Sequence, residues 1–472
     1  MKNLTWQNPE QLFVAQALIN KVKSKCCGIK VKKIVYLIAL VWMGLMSSCS
    51  NNDYLNAIPA ESSMLISMNT AKMSGAGSQT LFKAFLHVSN LNNTGIDVSK
   101  PVMLFEDAQG NLGVCAKTDN TKQLGEMLQK MGLTVLERQD FHFAILPNLW
   151  IIGFSDQSTL LMGPVVPAAQ PEMMQLMARY LKAKEDDGIV GTPMYDKLDS
   201  IDAPMAMVCQ AKALPEYLVA PFTLGAPKGT DPSQVLIAAD MEVKDGCLWI
   251  NGQTFSFVKR INDALQKAQA TYRPIQGKYV ASMSSHDAAG LFVNVDGGQF
   301  IKLMTDNRGI QAMLSGINTA IDMNSIIKSV DGDMAIITPS LGQSSFQLMM
   351  AAKLKNADWL ADVDYWKQSV PSGGQIGEWG RECYYYRDGK TSYYFGVTND
   401  WQYMSGVSEQ VALQSIHAAA NPISPVIQKK LKGQKMALVA NISSIDKGTG
   451  VTTFLKPLFG NVNTLVYTLK VN

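Results

Sequence analysis

The 472-residue chain contains few of the residues that bind metals or form disulfide frameworks. It has seven cysteines and four histidines. Past the amino-terminal region the cysteines are far apart and include no CxxC pair, and no two histidines have HxxxH spacing, so we expect no metal site and no cofactor. Cys209 and Cys247 could pair in an oxidising compartment, which the sequence leaves open. Otherwise we expect four small buried hydrophobic residues: Cys115, Cys209, Cys247 and Cys383.

Recognised catalytic motifs are also absent. The sequence contains no GxSxG nucleophile elbow and no Walker loop. Ser155 follows Gly153 but lacks the second glycine of such an elbow, which favours a turn. The acidic run Glu185–Asp187 is typical of a solvated loop, and Asp358 is typical of a helix start. We therefore predict no catalytic residues.

A large net charge is missing as well. The chain has 42 basic and 39 acidic residues, of which seven lysines and one glutamate lie in the first 48 residues. The remainder has 35 basic and 38 acidic residues, close to neutrality. This balance gives no electrostatic reason to expect a nucleic-acid partner or an anionic membrane surface.

The longest uncharged apolar run is too short for a stable membrane span. It covers Ile34–Met46, follows a basic segment at Lys21–Lys33 and precedes two serines. A span needs about 20 apolar residues, so this pattern predicts a signal peptide over residues 1–48, in preference to a buried helix. Its first twenty residues are typical of neither signal nor domain. Either the assigned start is too early or a cytoplasmic extension precedes the signal.

The end of this run resembles the lipobox of bacterial lipoproteins. Met46, Ser47, Ser48 and Cys49 stand in its places, with Met46 where the pattern usually has Leu. The resemblance implies that Cys49 becomes the mature amino terminus and carries acyl chains such as palmitate. Several chains anchor a protein durably, whereas one binds only marginally. We therefore expect a lipid-anchored cell-envelope protein at the outer membrane. The sequence leaves open whether it faces the periplasm or the cell surface.

Segments of the chain recur in the same order. Each copy has a strand ending in Ala-Lys, then a helix, and later two glycines ten residues apart, followed by Met-Ala-x-Val. The second copy is longer between its lysine and its first glycine, and the Gly-rich segment Pro371–Gly377 is predicted to be the extra loop. The paired positions are Lys117 with Lys353, Gly153 with Gly396, and Gly163 with Gly406.

This pattern predicts an α+β fold of two similar tandem halves, each a largely antiparallel sheet with helices packed on one face. The strands are short and alternating, and strand–helix–strand crossovers do not repeat regularly. The predicted parts are a polar tether at 49–53, a first repeat at 54–258, a linking helix at 259–273 and a second repeat at 274–472.

The start of the first repeat is similar to that of domain-of-unknown-function 4836, a family of Bacteroidetes cell-envelope lipoproteins. The family opens with Tyr-x-x-x-Ile-Pro-Ala-Asp, then a strand and Lys-Ser-Gly. Glu61 here replaces the Asp, and Met73 separates the Lys from the Ser-Gly. The other matching residues are Tyr54, Ile58, Pro59, Ala60, Lys72, Ser74 and Gly75. The resemblance implies an envelope lipoprotein of unknown role and supplies no catalytic residues.

An aromatic-rich segment between Trp359 and Tyr403 is the one feature that points to a ligand. Alternating aromatics in strands are usually core residues, and we favour that interpretation for most of them. The possible ligand contacts are Trp379, Tyr385 and Trp401, with Trp379 beside the predicted glycine loop the best exposed.

Two functions are compatible with these features. The first is a binding or interaction protein of the envelope, held at the membrane by its lipid, with an envelope protein or glycan as partner. It predicts an exposed apolar or aromatic patch between the halves. The alternative is an envelope hydrolase acting on glycan or peptide, which predicts converging carboxylates or a Ser/His pair in a cleft. We favour the first because no catalytic motif is present.

Overall fold

Nineteen strands among the described residues form one large sheet in the computed structural model of the chain. The structure describes residues 52–69, 94–138, 140–307, 309–311, 318, 320–340, 348–445, 459 and 462–470. Residues from Asn52 onward form one compact unit. The predicted signal peptide and Cys49 lie outside the described residues, and so do Lys72, Met73, Ser74 and Gly75 of the family motif.

Ten strands lie between Met64 and Phe255. They are β1 (Met64–Met68), β2 (Val102–Glu106), β3 (Leu112–Lys117), β4 (Leu136–Arg138), β5 (Phe141–Ile145), β6 (Ile151–Phe154), β7 (Ser158–Met162), β8 (Met205–Gln210), β9 (Leu236–Lys244) and β10 (Cys247–Phe255).

Nine further strands follow. They are β11 (Ala289–Asp296), β12 (Val330–Thr338), β13 (Met349–Leu354), β14 (Gln375–Gly380), β15 (Cys383–Arg387), β16 (Ser392–Val397), β17 (Gln402–Gly406), β18 (Met436–Asn441) and β19 (Thr464–Leu469).

The pairings place the strands in a single row. Its order is β4-β5-β6-β7-β3-β2-β1-β8-β9-β10-β19-β18-β11-β12-β13-β17-β16-β15-β14. β10 and β19 pair in parallel, and the other pairs named here are antiparallel. The prediction of a mixed fold with a mostly antiparallel sheet is therefore confirmed.

Eleven helices are described between the strands. They are α1 (Thr121–Lys130), α2 (Gln170–Leu181), α3 (Pro193–Asp199), α4 (Glu216–Phe222), α5 (Lys259–Gln269), α6 (Gly297–Thr305), α7 (Met323–Lys328), α8 (Val363–Ser369), α9 (Glu409–Ser415), α10 (Pro425–Leu431) and α11 (Ile442–Ile445). Several of these helices begin at a residue whose side chain caps a free backbone N–H group. The Asn120 side chain accepts from Gln123 N at the start of α1, and the Ser408 side chain accepts from Val411 N at the start of α9. No helix within the described ranges is long and apolar enough to cross a membrane.

The main core joins residues from both ends of the sequence. One hydrophobic cluster contains Ile66 and Leu104 together with Val293 and Met334. On the surface of the same region, Lys470 Nζ lies 2.9 Å from Asp240 Oδ1. The sheet is therefore continuous in its packing as well as in its hydrogen bonds.

All four interior cysteines are buried and free. Cys209 and Cys247 do not pair, which settles the question that the sequence left open. Burial raises the pKa of the Cys209 thiol to about 12. These residues pack as small apolar side chains, as predicted.

Candidate functional site

The aromatic-rich segment forms the last strands of the sheet, and their pairing divides its side chains between two faces. Gly377 of β14 pairs with Tyr385 of β15, which pairs with Tyr394 of β16. Side chains alternate along a strand, so residues two apart share a face. Trp379 and Arg387 therefore lie on the same face as Tyr385 and Tyr394.

The opposite face is core. Trp359, which is 2% exposed, stacks on Trp366 with ring centroids 6.1 Å apart and contacts Phe395. The hydroxyls of Tyr393 and Tyr403 lie 2.8 Å apart in this interior. Most of the aromatic segment is therefore structural, as the sequence favoured.

The other face carries a cluster of three rings and one guanidinium, which we call the aromatic face: Trp379, Tyr385, Arg387 and Tyr394. The Tyr394 ring centroid lies 6.2 Å from Trp379 and 5.7 Å from Tyr385. The Arg387 guanidinium lies 4.9 Å from the Tyr385 centroid and 5.2 Å from that of Tyr394, and it also donates to the Tyr394 hydroxyl. Such cation–π geometry holds the arginine flat against the rings.

A glycine makes room for this arrangement. A Cβ at Gly377 would lie 2.4 Å from the Tyr385 ring, so Tyr385 lies across β14 only because position 377 has no side chain. The prediction of a loop over Pro371–Gly377 is therefore wrong for its last three residues, which belong to β14. A glycine inside a strand usually weakens that strand. In β14, Gly377 instead allows the Tyr385 ring to pack across the strand.

The predicted ligand contacts separate in the structure. Trp379 and Tyr385 meet through Tyr394, and both are half-buried. The Trp379 indole donates to the carbonyl of Tyr384 at 2.8 Å, which fixes its ring. Trp401 is 45% exposed in the turn after β16, with φ of 62°, and no described ring contact connects it to the aromatic face. Trp401, and not Trp379, is thus the more exposed indole.

Sequence reasoning did not select Arg387. Its signal was available, because a charged residue two positions after Tyr385 in an alternating strand must share the face of that ring. An ion pair lies on the other face of the same strands, where Lys367 Nζ contacts Glu378 Oε1 at 2.7 Å. The hydrogen bond to Glu378 raises the pKa of Lys367.

Catalytic groups are sparse among the described residues. No cluster of three His, Cys, Asp or Glu side chains there could hold a metal ion. Ser284 Oγ and His286 Nδ1 lie 3.4 Å apart, but both belong to one exposed turn that the Asp287 carboxylate closes by accepting from Ser284 N. A cavity of about 630 Å³ beside α2 has one carboxylate, Glu172, in its lining.

The fold and this site define a mixed α/β protein with one large, mostly antiparallel sheet and a partly buried aromatic cluster at its end. The chain belongs to the family described as domain of unknown function (DUF4836), whose model matches residues 60–421. The resemblance to this family is therefore confirmed.

Two solved structures have weak similarity to the chain. Crystal form IV of TP0453 is 8% identical with a TM-score of 0.27, over 41% of this chain and 76% of that chain. Crystal form I of TP0453 is 6% identical with a TM-score of 0.24, over 78% of this chain and 97% of that chain. No curated protein matches the sequence.

Proposed function

We propose that this chain is a lipid-anchored cell-envelope protein that binds a glycan at the aromatic face. The observation that carries the proposal is the position of the Arg387 guanidinium against the rings of Tyr385 and Tyr394. The Trp379 ring contacts Tyr394 as well. Apolar sugar faces pack well on aromatic rings. An exposed guanidinium beside them can donate two parallel hydrogen bonds to a carboxylate or phosphate. The class of ligand is therefore an acidic glycan.

The proposed anchor is the acylated thiol of Cys49, in the outer membrane and facing either the periplasm or the cell surface. The compact unit begins at Asn52, and Tyr54 is already buried with its hydroxyl donating to the Pro101 carbonyl at 2.7 Å. Few residues therefore separate Cys49 from folded structure. This arrangement supports a protein that works close to the membrane and binds extended envelope polymers there.

We also propose that the sheet arose by duplication of a nine-stranded unit. β1 lies between β2 and β8, and β11 lies between β12 and β18. β3 pairs with β7 after a meander, as β13 pairs with β17. β10 has no counterpart and joins the two sets through β19. The aromatic face belongs to the second set alone, since the corresponding edge strand β4 carries Leu-Glu-Arg.

A glycan array and pull-downs from envelope extracts test the proposal with the detergent-solubilised chain. We expect capture of glycans that bear carboxylate or phosphate groups, recovered intact. Capture of neutral and acidic glycans alike would contradict the role of Arg387. Cleavage of a captured glycan or peptide would favour the hydrolase alternative, and no reproducible glycan capture would contradict the proposal as a whole.

A further inference from the structure

We infer that a second site, in a cavity of about 380 Å³ at the end of β8 and the start of β9, binds a hydrophobic amine. Its volume falls within the roughly 300–1,000 Å³ that small-molecule sites occupy. Its walls come from the turn before β1, the start of α3 and the segment after β10. The residues that decide its chemistry are Glu61, Gln210, Leu236, Phe257 and Val258. This inference stands independently of the glycan site.

One residue of the cavity wall, Gln210, has an unpartnered acceptor. The Oε1 atom of Gln210 is buried and accepts no hydrogen bond from the described residues. A buried carbonyl without a donor is destabilising, because it has lost its hydrogen bond to water without gaining another. The position therefore favours a ligand that brings a donor.

Asn441 occupies the equivalent register position in the second set of strands, and its side chain has hydrogen-bond partners. Gln210 pairs with Leu236, and its N–H donates to the Ser63 carbonyl just before β1. Asn441 pairs with Thr464, and its N–H donates to the Ala288 carbonyl just before β11.

The side chain of Asn441 has partners for both of its ends. Asn441 Oδ1 accepts from Thr464 Oγ1 at 3.1 Å, and Asn441 Nδ2 donates to the Asp287 carbonyl at 2.6 Å. Leu236, in the place of Thr464, offers no such donor. The missing partner thus distinguishes Gln210 from Asn441 at the equivalent register position.

Three of the four hydroxyl groups in the cavity wall donate to carbonyls of the protein itself. Ser62 Oγ donates to the Pro59 carbonyl at 2.7 Å, Thr192 Oγ1 donates to the Ile189 carbonyl at 2.7 Å, and Ser256 Oγ donates to the Gln234 carbonyl at 2.6 Å. Glu61 is the one charged residue in the lining. The cavity therefore offers acceptors and negative charge, which suit an ammonium group.

The rest of the wall is apolar and partly open. Phe257 and Val258 are 53% and 42% exposed at the cavity, whereas Leu236 is buried within it. Large exposed apolar side chains beside a concave site mark a place where a ligand covers them. An ammonium next to an aromatic or aliphatic group fits this combination. It can be a free amine or the amino terminus of a peptide that begins with an apolar residue.

Titration calorimetry of the full chain in detergent tests the site with matched probes. Phenethylamine should bind, and 3-phenylpropionate, which has the same ring but a carboxylate, should bind at least tenfold more weakly. Phe-Gly-Gly and its amino-acetylated form distinguish the two sources. Tighter binding of the free peptide than of phenethylamine assigns the site to peptide termini, and the reverse assigns it to free amines. Measurable binding of the acetylated peptide, as tight as that of the free peptide, would overturn the inference.

Three variants connect the binding to the structure. Gln210→Leu and Glu61→Gln should each weaken phenethylamine binding about tenfold or more. Leu236→Thr gives Gln210 the partner that Asn441 has and should also weaken it. Melting temperatures show that each variant is folded. Full binding by a folded Gln210→Leu chain would mean that Oε1 only holds a water molecule, and would overturn the inference.

Discussion

Asp333 accepts a hydrogen bond from its cross-strand partner Asn294, whose Nδ2 lies 2.9 Å from Asp333 Oδ1. The same carboxylate accepts the backbone N–H groups of Gln276 and Lys278 at 2.9 and 2.8 Å. Asp333 is 5% exposed, so it fixes the segment after α5 to β11 and β12 from inside the protein.

Removal of this carboxylate should be costly. Asp333→Ala leaves one buried and two partly buried donors without an acceptor, and we expect a loss of about 3–5 kcal/mol in the free energy of unfolding. Asp331→Ala is the control on the same strand. Asp331 forms a half-exposed ion pair with Arg273 at 2.8 Å, which should contribute less than about 1 kcal/mol. Urea unfolding of both variants measures the difference, and equal effects would contradict the assignment.

Gly377→Ala should weaken ligand binding at the aromatic face with little loss of stability. The new Cβ would meet the outer atoms of the Tyr385 ring, which can swing away, so the structural cost should stay below about 1 kcal/mol. The displaced ring no longer holds Arg387. Gly380→Ala is the control, since its Cβ would lie at an ordinary 3.5 Å from Cys383. A calorimetric titration of both variants with a captured glycan should show a loss for Gly377→Ala alone.

The hairpin of β15 and β16 should make stability depend on pH at both extremes. The Lys390 N–H, the Tyr386 hydroxyl and the Thr391 N–H all donate to Asp388, and they hold its pKa below the ordinary 3.8. Its contribution is therefore present above that value and is lost as the pH falls through the lowered pKa. Burial, and then the hydrogen bond to Asp388, raise the pKa of Tyr386 from 10.0 to about 12. That contribution is present below pH 10 and is lost as the pH rises toward 12.

Two variants separate these effects. Asp388→Asn should flatten the fall in unfolding free energy on the acid side, and Tyr386→Phe should flatten it on the alkaline side. Urea midpoints measured from pH 3 to 5 and from pH 9 to 11 check this. A wild-type curve that is parallel to the Asp388→Asn curve at acid pH would contradict the role given to this turn.

Substitution of Cys49 tests the anchor. Cys49→Ser removes the thiol that would be acylated, so labelled palmitate should no longer enter the chain and the protein should leave the membrane fraction. Cys27→Ser is the control, because Cys27 lies within the predicted signal peptide and should not affect labelling of the mature chain. Palmitate incorporation that persists in Cys49→Ser would contradict the proposal. Protease treatment of intact cells then distinguishes a surface location from a periplasmic one.

The sequence predicted most elements well because local patterns dictate them. The strand predicted to end in Ala-Lys is β3, and the helix predicted after it is α1. Ser155 is a turn residue as predicted, with its hydroxyl accepting from Ser158 N at 3.1 Å. Thr398 does the same for Gln402 N at 3.0 Å.

Features that depend on pairing register were beyond the sequence. Lys117 pairs with Ser158, whereas Lys353 pairs with Gln402, so the turn before β17 is one residue longer. The ten-residue glycine spacing therefore conceals a shift of one position between Gly163 and Gly406. Alternation along β15 places Arg387 on the face of Tyr385, but its contact with Tyr394 depends on cross-strand pairing, which the sequence did not show.

Binding of a captured acidic glycan to four chains tests the central claim most directly. Trp379→Ala should raise the Kd about tenfold, equivalent to about 1.4 kcal/mol, because it removes a ring of the aromatic face. Trp379→Phe, which keeps a ring, should lose less. Trp401→Ala should bind like the wild-type chain, since Trp401 lies apart from that face. Wild-type affinity in Trp379→Ala, or a loss in Trp401→Ala alone, would contradict the aromatic face as the binding site.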